Sequence, residues 1–181
     1  MKIKNAWCHF VTITEHKMLV MKNCFRVGLY KQGILHDLSK YSPEEFLTGV
    51  RYYQGDRSPN AAEKEALGFS RAWLHHKGRN KHHFEYWIDF SVNKGEGLVG
   101  NKMPLNYVVE MVMDRIAASK VYKGKAYTDE APWEYYCRTR QYIVIHKETR
   151  ALLEKLLLMI RDQGEEAAFS YMKQLLKQGD Y

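Results

Sequence analysis

Histidine and aspartate recur along this chain inside otherwise apolar stretches. Gly33-Ile34-Leu35-His36-Asp37-Leu38-Ser39-Lys40 sets an imidazole and a carboxylate side by side at the end of an apolar run, with a lysine just beyond. His16 lies upstream of this doublet, a dense His75-His76…His82-His83 cluster lies downstream, and Asp114 sits in a later apolar segment. Neutral imidazole and carboxylate are the donors taken by manganese, iron, cobalt and zinc and, for carboxylates, magnesium. A carboxylate among apolar residues is costly to bury unpaired, so it requires a cation, a donor network or solvent. The order His…His-Asp…His/His…Asp therefore predicts a site for one or two divalent ions, in which Asp37 can bridge two ions while His36 binds one.

Each residue also has a plainer reading. His16 fits a core or surface histidine beside Leu19 and Val20, and Asp114 fits an ion pair with Arg115 or Lys120. The histidine cluster fits a solvated turn, because Lys77, Arg79 and Lys81 lie within it. Neighbouring side chains diverge, so at most about half of the four cluster histidines can face one cavity. His76 and His82 are the ligand candidates among them, a choice that the spacing itself leaves open.

The elements that must position these groups read as helices. Thr12-x-x-Glu15 fits a capping box opening a helix to about Val27. Ile34 to Tyr41 reads as a short helix carrying the doublet. Ser42-Pro43-Glu44-Glu45 supplies an N-cap, a proline at the first helical position and an N3 glutamate. Ser58-Pro59 repeats that start for a helix to about His76, and a further helix is expected over His82 to Val92. Gly95, Gly97 and Gly100 mark a loop without a phosphate-binding glycine motif. Pro104 opens a helix through Leu105, Val108, Val109, Val112, Ile116 and Val121 at helical spacing. Beyond a linker over Lys123–Asp129, Pro132 starts one or two helices to about Asp162, and Glu165 to Lys177 forms a last amphipathic helix. The expected fold class is all-α, with about seven helices in one domain over 1–181: a metal-site core over about 10–125 and packing helices over about 130–178.

Composition narrows the functional classes. The 181 residues suffice for one well-cored domain. A net charge of +7 spread along the chain favours anionic partners, phosphorylated metabolites first and nucleic acid second. Cys8, Cys24 and Cys137 are odd in number and far apart, with no CxxC pair, so neither a thiolate zinc site nor a disulfide framework is indicated, and a reducing cytoplasm is the expected compartment. No signal-peptide pattern or membrane-length apolar stretch is present, so no membrane partner is expected.

The ordered pieces Glu15-His16, Leu35-His36-Asp37-Leu38-Ser39-Lys40 and Val112-Met113-Asp114-Arg115-Ile116 resemble the HD-domain superfamily of metal-dependent phosphohydrolases. The resemblance implies an HD-like helical bundle with His16, His36, Asp37 and Asp114 as metal ligands. The His75–His83 region resembles the extra histidines of dinuclear members, although its HHxxxxxHH spacing departs from the HD-GYP pattern and Ser39 stands where glycine is common. GILHDLSKYSPEEF and WLHHKGRNKHHFEYW resemble, over most of residues 10–125, a bacterial and phage family designated a domain of unknown function.

The function this implies is hydrolysis of a nucleotide or other small phosphate ester. The ions would lower the pKa of water from about 16 toward 7 and neutralise phosphoryl charge. Asp37, His76 and Lys40 are the catalytic candidates, with His76 as a proton donor to the leaving oxygen and Lys40, Arg79 and Lys81 as phosphate contacts. Two alternatives accompany it. One is an HD-like di-iron oxygenase. The other is a non-catalytic module binding nucleotide or nucleic acid, with Tyr52, Tyr53, Tyr86 and Trp87 as stacking groups.

Overall fold

The computed structural model describes residues 3–181, which form eight α-helices, three short 3₁₀ turns and one two-stranded sheet. The first helix, α1, spans Ile3–Val27. It buries His9, Ile13, His16, Val20, Asn23, Cys24 and Val27, a stripe advancing by three or four residues at nearly every step. Thr12 is interior to α1 and not its cap: its hydroxyl bonds the Cys8 carbonyl oxygen one turn back and the Tyr53 hydroxyl.

The doublet does not lie within a helix. The second helix, α2, spans Tyr30–Leu35 and stops there. His36 is extended (φ −50°, ψ 126°), Asp37 is left-handed (φ 53°, ψ 26°), and a 3₁₀ turn covers Leu38–Tyr41. Asp37 is the one described non-glycine residue at positive φ. Aspartate tolerates that region better than most residues, and here the reversal turns its carboxylate inward.

Helix α3 spans Pro43–Tyr52, with the Ser42 hydroxyl accepting from the Glu45 backbone N–H. The single helix expected from Ser58 to His76 is two. Gly68, at φ 80°, caps α4 (Pro59–Leu67), and Ser70 opens α5 (Arg71–Lys77) by accepting from the Trp73 N–H. The expected helix over His82–Val92 is absent: a 3₁₀ turn over Phe84–Trp87 leads into β1 (Ile88–Phe90), which pairs antiparallel with β2 (Leu98–Gly100). The glycine-bearing loop is the bend of this hairpin.

Helix α6 (Leu105–Lys123) starts after Pro104 and buries Val108, Val109, Val112, Met113 and Ile116. Helix α7 spans Ala131–Cys137, and α8 spans Lys147–Gln178 with a break at Gly164 (φ 84°, ψ 166°). α6 packs on α1, α7 and α8. Leu153, Leu156, Leu157 and Ile160 of α8 are fully buried against it, each worth about 1.5–3 kcal/mol of transfer free energy. This apolar block packs α6 against α1, the helix that also carries α2 and the doublet segment beside it. No described helix is long and apolar enough to cross a membrane.

Candidate metal centre

Four chain segments deliver polar side chains to one buried point. α1 supplies His16, the α2 exit supplies His36 and Asp37, the α5 end and following turn supply His76, His82 and His83, and α6 supplies Glu110 and Asp114. Exposure of His36, Asp37, His76 and His82 is 1–2% and that of His16 is 6%.

The donor atoms fall into two groups that share Asp37. In the first, His16 Nε2 is 3.0 Å from Asp114 Oδ1 and 3.5 Å from Asp37 Oδ2. His36 Nε2 is 3.3 Å from Asp37 Oδ2, 3.5 Å from Asp114 Oδ1 and 3.4 Å from His16 Nε2. In the second, Asp37 Oδ1 is 3.3 Å from His76 Nε2 and 3.4 Å from His82 Nε2. A ring nitrogen of His83 falls within 4.8 Å of those atoms. Donors bound about 2.1 Å from one ion stand about 3.0 Å apart at a right angle and about 3.4 Å apart at the tetrahedral angle. The measured separations fall in or next to that range.

The fit has a second support in unpartnered atoms. Both Asp37 oxygens, His82 Nε2 and His83 Nε2 are buried without a hydrogen-bond partner. Lys40 Nζ stands 2.6 Å from Asp37 Oδ2, close enough to pair its charge but not in line for a hydrogen bond. Buried polar atoms left without partners are rare, because each forfeits its solvation. A pair of divalent cations would satisfy all four.

Outside the donors, two glutamates fix which ring nitrogen points inward. Glu110 Oε1 is 2.9 Å from His36 Nδ1 and 3.2 Å from His82 Nδ1. Glu45 Oε2 is 2.8 Å from His76 Nδ1, and its Oε1 is 2.6 Å from His75 Nδ1. Carboxylate–imidazole pairs of this kind hold the tautomer and raise ligand basicity. They leave Nε2 of His36, His76 and His82 facing Asp37.

Charge is balanced by strong coupling. Burial disfavours the Asp37 anion, but His36, Lys40 and His76 outweigh it and hold its carboxyl well below the usual range. Burial opposes the Asp114 anion in the same way and is outweighed by hydrogen bonds from His16 and His36. Glu45 and Glu110 are also lowered against burial, by His76 and by His36 with His82 respectively. Against the same opposition from burial, Asp37 raises the basicity of His36 and His76. Four carboxylates thus stay ionised, and cation binding would release protons from the imidazoles.

The centre opens into a cavity of about 480 Å³ whose wall includes His16, His76, His83, Asp114, Lys40 and Arg115. Lys40 and Arg115 bring positive charge beside the donors. Arg115 forms no ion pair among the described residues, and its Nε is buried and unpartnered. Asp114 pairs with the histidines and with neither Arg115 nor Lys120, whose ammonium goes to Glu165. His75 is turned away toward Glu44 and Glu45. Arg79 and Lys81 do not line the cavity: Arg79 donates to the His75 carbonyl oxygen and Lys81 lies over the Tyr86 and Tyr107 rings. The two nitrogens of His76 face Glu45 and Asp37, so neither is placed to protonate a leaving oxygen. Tyr53 lines the cavity, whereas Trp87 packs on the core and donates to the Lys81 carbonyl oxygen.

Sequence reasoning gave Glu45, Glu110 and Arg115 no place in the site and left open whether His83 belongs to it. Glu110 carried the signal that exposed Asp114, a carboxylate inside an apolar helical run one turn earlier. Glu45 was masked by its helix-start position, which satisfies its backbone N–H but leaves its side chain for the histidines. The three cysteines are all free.

No curated protein and no solved structure matches the chain. One family model does, over residues 5–159, a span that takes in every donor and both orienting glutamates. The chain accordingly belongs to the family described as a family of unknown function, DUF5662.

Proposed function

We propose that this protein is a dinuclear metal-dependent phosphohydrolase of HD-like architecture, acting on a small phosphate ester. The observation that carries the reading is the division of the donors into two groups around one shared carboxylate, Asp37, beside a cavity bearing Lys40 and Arg115. Divalent ions held there would supply hydroxide at neutral pH and neutralise charge on phosphoryl oxygens.

The protein's own residues do the remaining work. Lys40 and Arg115 attract the dianionic phosphate and orient its oxygens from the cavity side. Glu45 and Glu110 keep the imidazoles in the donor tautomer. The apolar packing of α1 on α6 excludes bulk water and strengthens each of these interactions. The donor set, rich in imidazole and carboxylate and free of thiolate, suits manganese, iron, cobalt or zinc.

The test is metal analysis of untagged protein joined to a phosphate-release screen over nucleotides and sugar phosphates. About two ions per chain, with metal-dependent phosphate release, is the expected result. Asp37→Asn keeps the tolerance for positive φ and should lose both ions, whereas Asp114→Asn should lose one. Full metal content in both variants overturns the site. Tightly held iron with oxygen uptake and no phosphate release replaces hydrolysis by oxidation.

A further inference from the structure

α1 is apolar on two sides, and only one of them is covered. At about 100° per residue, the buried stripe from His9 to Val27 occupies one sector of the helix. Ile3, Trp7, Phe10, Val11, Met18 and Phe25 fall in the neighbouring sector, about 100° wide. All six are exposed, by 38% to 88%. The stripe they form runs nearly the whole helix, about 33 Å at 1.5 Å per residue.

The stripe continues onto the segment that carries the doublet. The Trp7 and Phe10 rings stack with centroids 6.0 Å apart, and Phe10 meets the Tyr41 ring edge-on at 6.1 Å. Tyr41 closes the 3₁₀ turn after Asp37, and its hydroxyl bonds Thr14 in the middle of the stripe. Leu38 of the same turn and Ile34, whose carbonyl oxygen accepts from Lys17, are half exposed. These eight apolar side chains leave roughly 800 Å² open to solvent, above the roughly 300–600 Å² of the largest apolar patch on an ordinary monomer.

We propose that this face is covered by the same face of a second copy, the two α1 helices packing antiparallel about a two-fold axis, so that the protein is a homodimer. A stable interface buries about 800 Å² on each partner, which is what the face offers. Its charge is self-complementary as well. Lys4, Glu15 and Lys22 are exposed along one edge of the stripe, and an antiparallel two-fold pair sets that edge against its own copy. Glu15 of each chain then meets a lysine of the other. The two net charges of +7 repel, but physiological salt screens that repulsion beyond about 8 Å. His9, Thr12, Ile13 and His16 line the cavity from the other sectors of α1, so the pairing leaves the metal centre open. It covers instead the outer side of the doublet segment, at Ile34 and Leu38.

Sedimentation equilibrium of the full chain at micromolar concentration tests this, with an expected mass of twice 21.4 kDa. Trp7→Glu and Met18→Glu each put a charge into the stripe at a side chain more than half exposed. Both should keep the helical circular dichroism of the wild type and sediment at 21.4 kDa. Val92→Glu, at a fully exposed apolar residue in the hairpin loop, should remain a dimer. A monomeric wild type, or a dimer that survives both stripe variants, overturns the proposal. Dissociation by Val92→Glu overturns it too, by moving the contact elsewhere. A monomer that binds vesicles of phosphatidylcholine and phosphatidylserine, and loses that binding in Trp7→Glu and Met18→Glu, gives the face to a membrane surface and overturns the second copy as its occupant.

Discussion

Glu110 and Asp114, one turn apart on α6, grip the two edges of the His36 ring: Glu110 Oε1 is 2.9 Å from Nδ1 and Asp114 Oδ1 is 3.5 Å from Nε2. A single helical repeat thus sets both the orientation of the imidazole and a donor beside it. Because Glu110 also reaches His82 Nδ1, one buried carboxylate ties the two donor groups together.

Glu110→Gln tests that tie. The amide is isosteric but uncharged, so the fold should persist while the histidines lose their anionic partner. Metal affinity should fall about 10- to 100-fold at unchanged stoichiometry, read by titrating metal into chelator-stripped protein. Unaltered affinity would remove the orienting role assigned to Glu110.

What the sequence disclosed follows the range of the interactions. α6 was readable because Leu105 through Ile116 repeat at helical spacing, and α3 because Ser42 and Pro43 mark its start locally. The doublet was visible as chemistry but misplaced as structure, since the left-handed Asp37 answers to tertiary demands that no local propensity carries. The segment after His82 was misread for a related reason: Ile88 to Phe90 pair into a hairpin with Leu98 to Gly100, across the glycine loop. Glu45 and Glu110 reach histidines 31 and 74 residues away, beyond any local pattern.

The neutral state of His9 makes an acid-sensitive contribution to stability. Its folded pKa of about 4 lies below the unfolded value of 6.5, so the unfolded chain binds the proton first as pH falls. The contribution is intact above pH 6.5 and is lost progressively as the pH drops toward 4. Between pH 7 and pH 5 it amounts to about 2 kcal/mol. In chelator-stripped protein, urea unfolding of wild type and His9→Asn at the two pH values should differ by that amount, the wild type losing more. Parallel losses in both would show that His9 titrates normally.

Gly100 is fixed by space. A Cβ at that position would lie 2.5 Å from the His146 backbone nitrogen and 2.6 Å from the Ile145 carbonyl carbon. Backbone on both sides cannot yield as a flexible side chain would. Gly100→Ala should therefore cost about 1–3 kcal/mol in equilibrium unfolding. A stability equal to wild type would mean that the hairpin does not pack on the lead-in to α8 as described.

Lys17 carries the last test, because it holds the doublet from behind. Its ammonium donates to the Ile34 carbonyl oxygen at 2.6 Å and to the His36 carbonyl oxygen at 2.9 Å. These contacts occupy two carbonyls where α2 ends, and they keep His36 extended so that Asp37 can reverse. Lys17→Met retains most of the apolar stem and removes both charge-assisted bonds, a loss of about 2 kcal/mol. A purely structural tie would lower unfolding stability alone. A tie that also positions the donors should weaken metal binding in protein that remains folded, with His36 and Asp37 affected together. The two measurements, urea unfolding of the stripped protein and metal titration at a temperature well below its melt, separate those outcomes. Metal affinity unchanged beside lowered stability would confine Lys17 to the fold and leave the doublet positioned by Glu110, His76 and Lys40 alone.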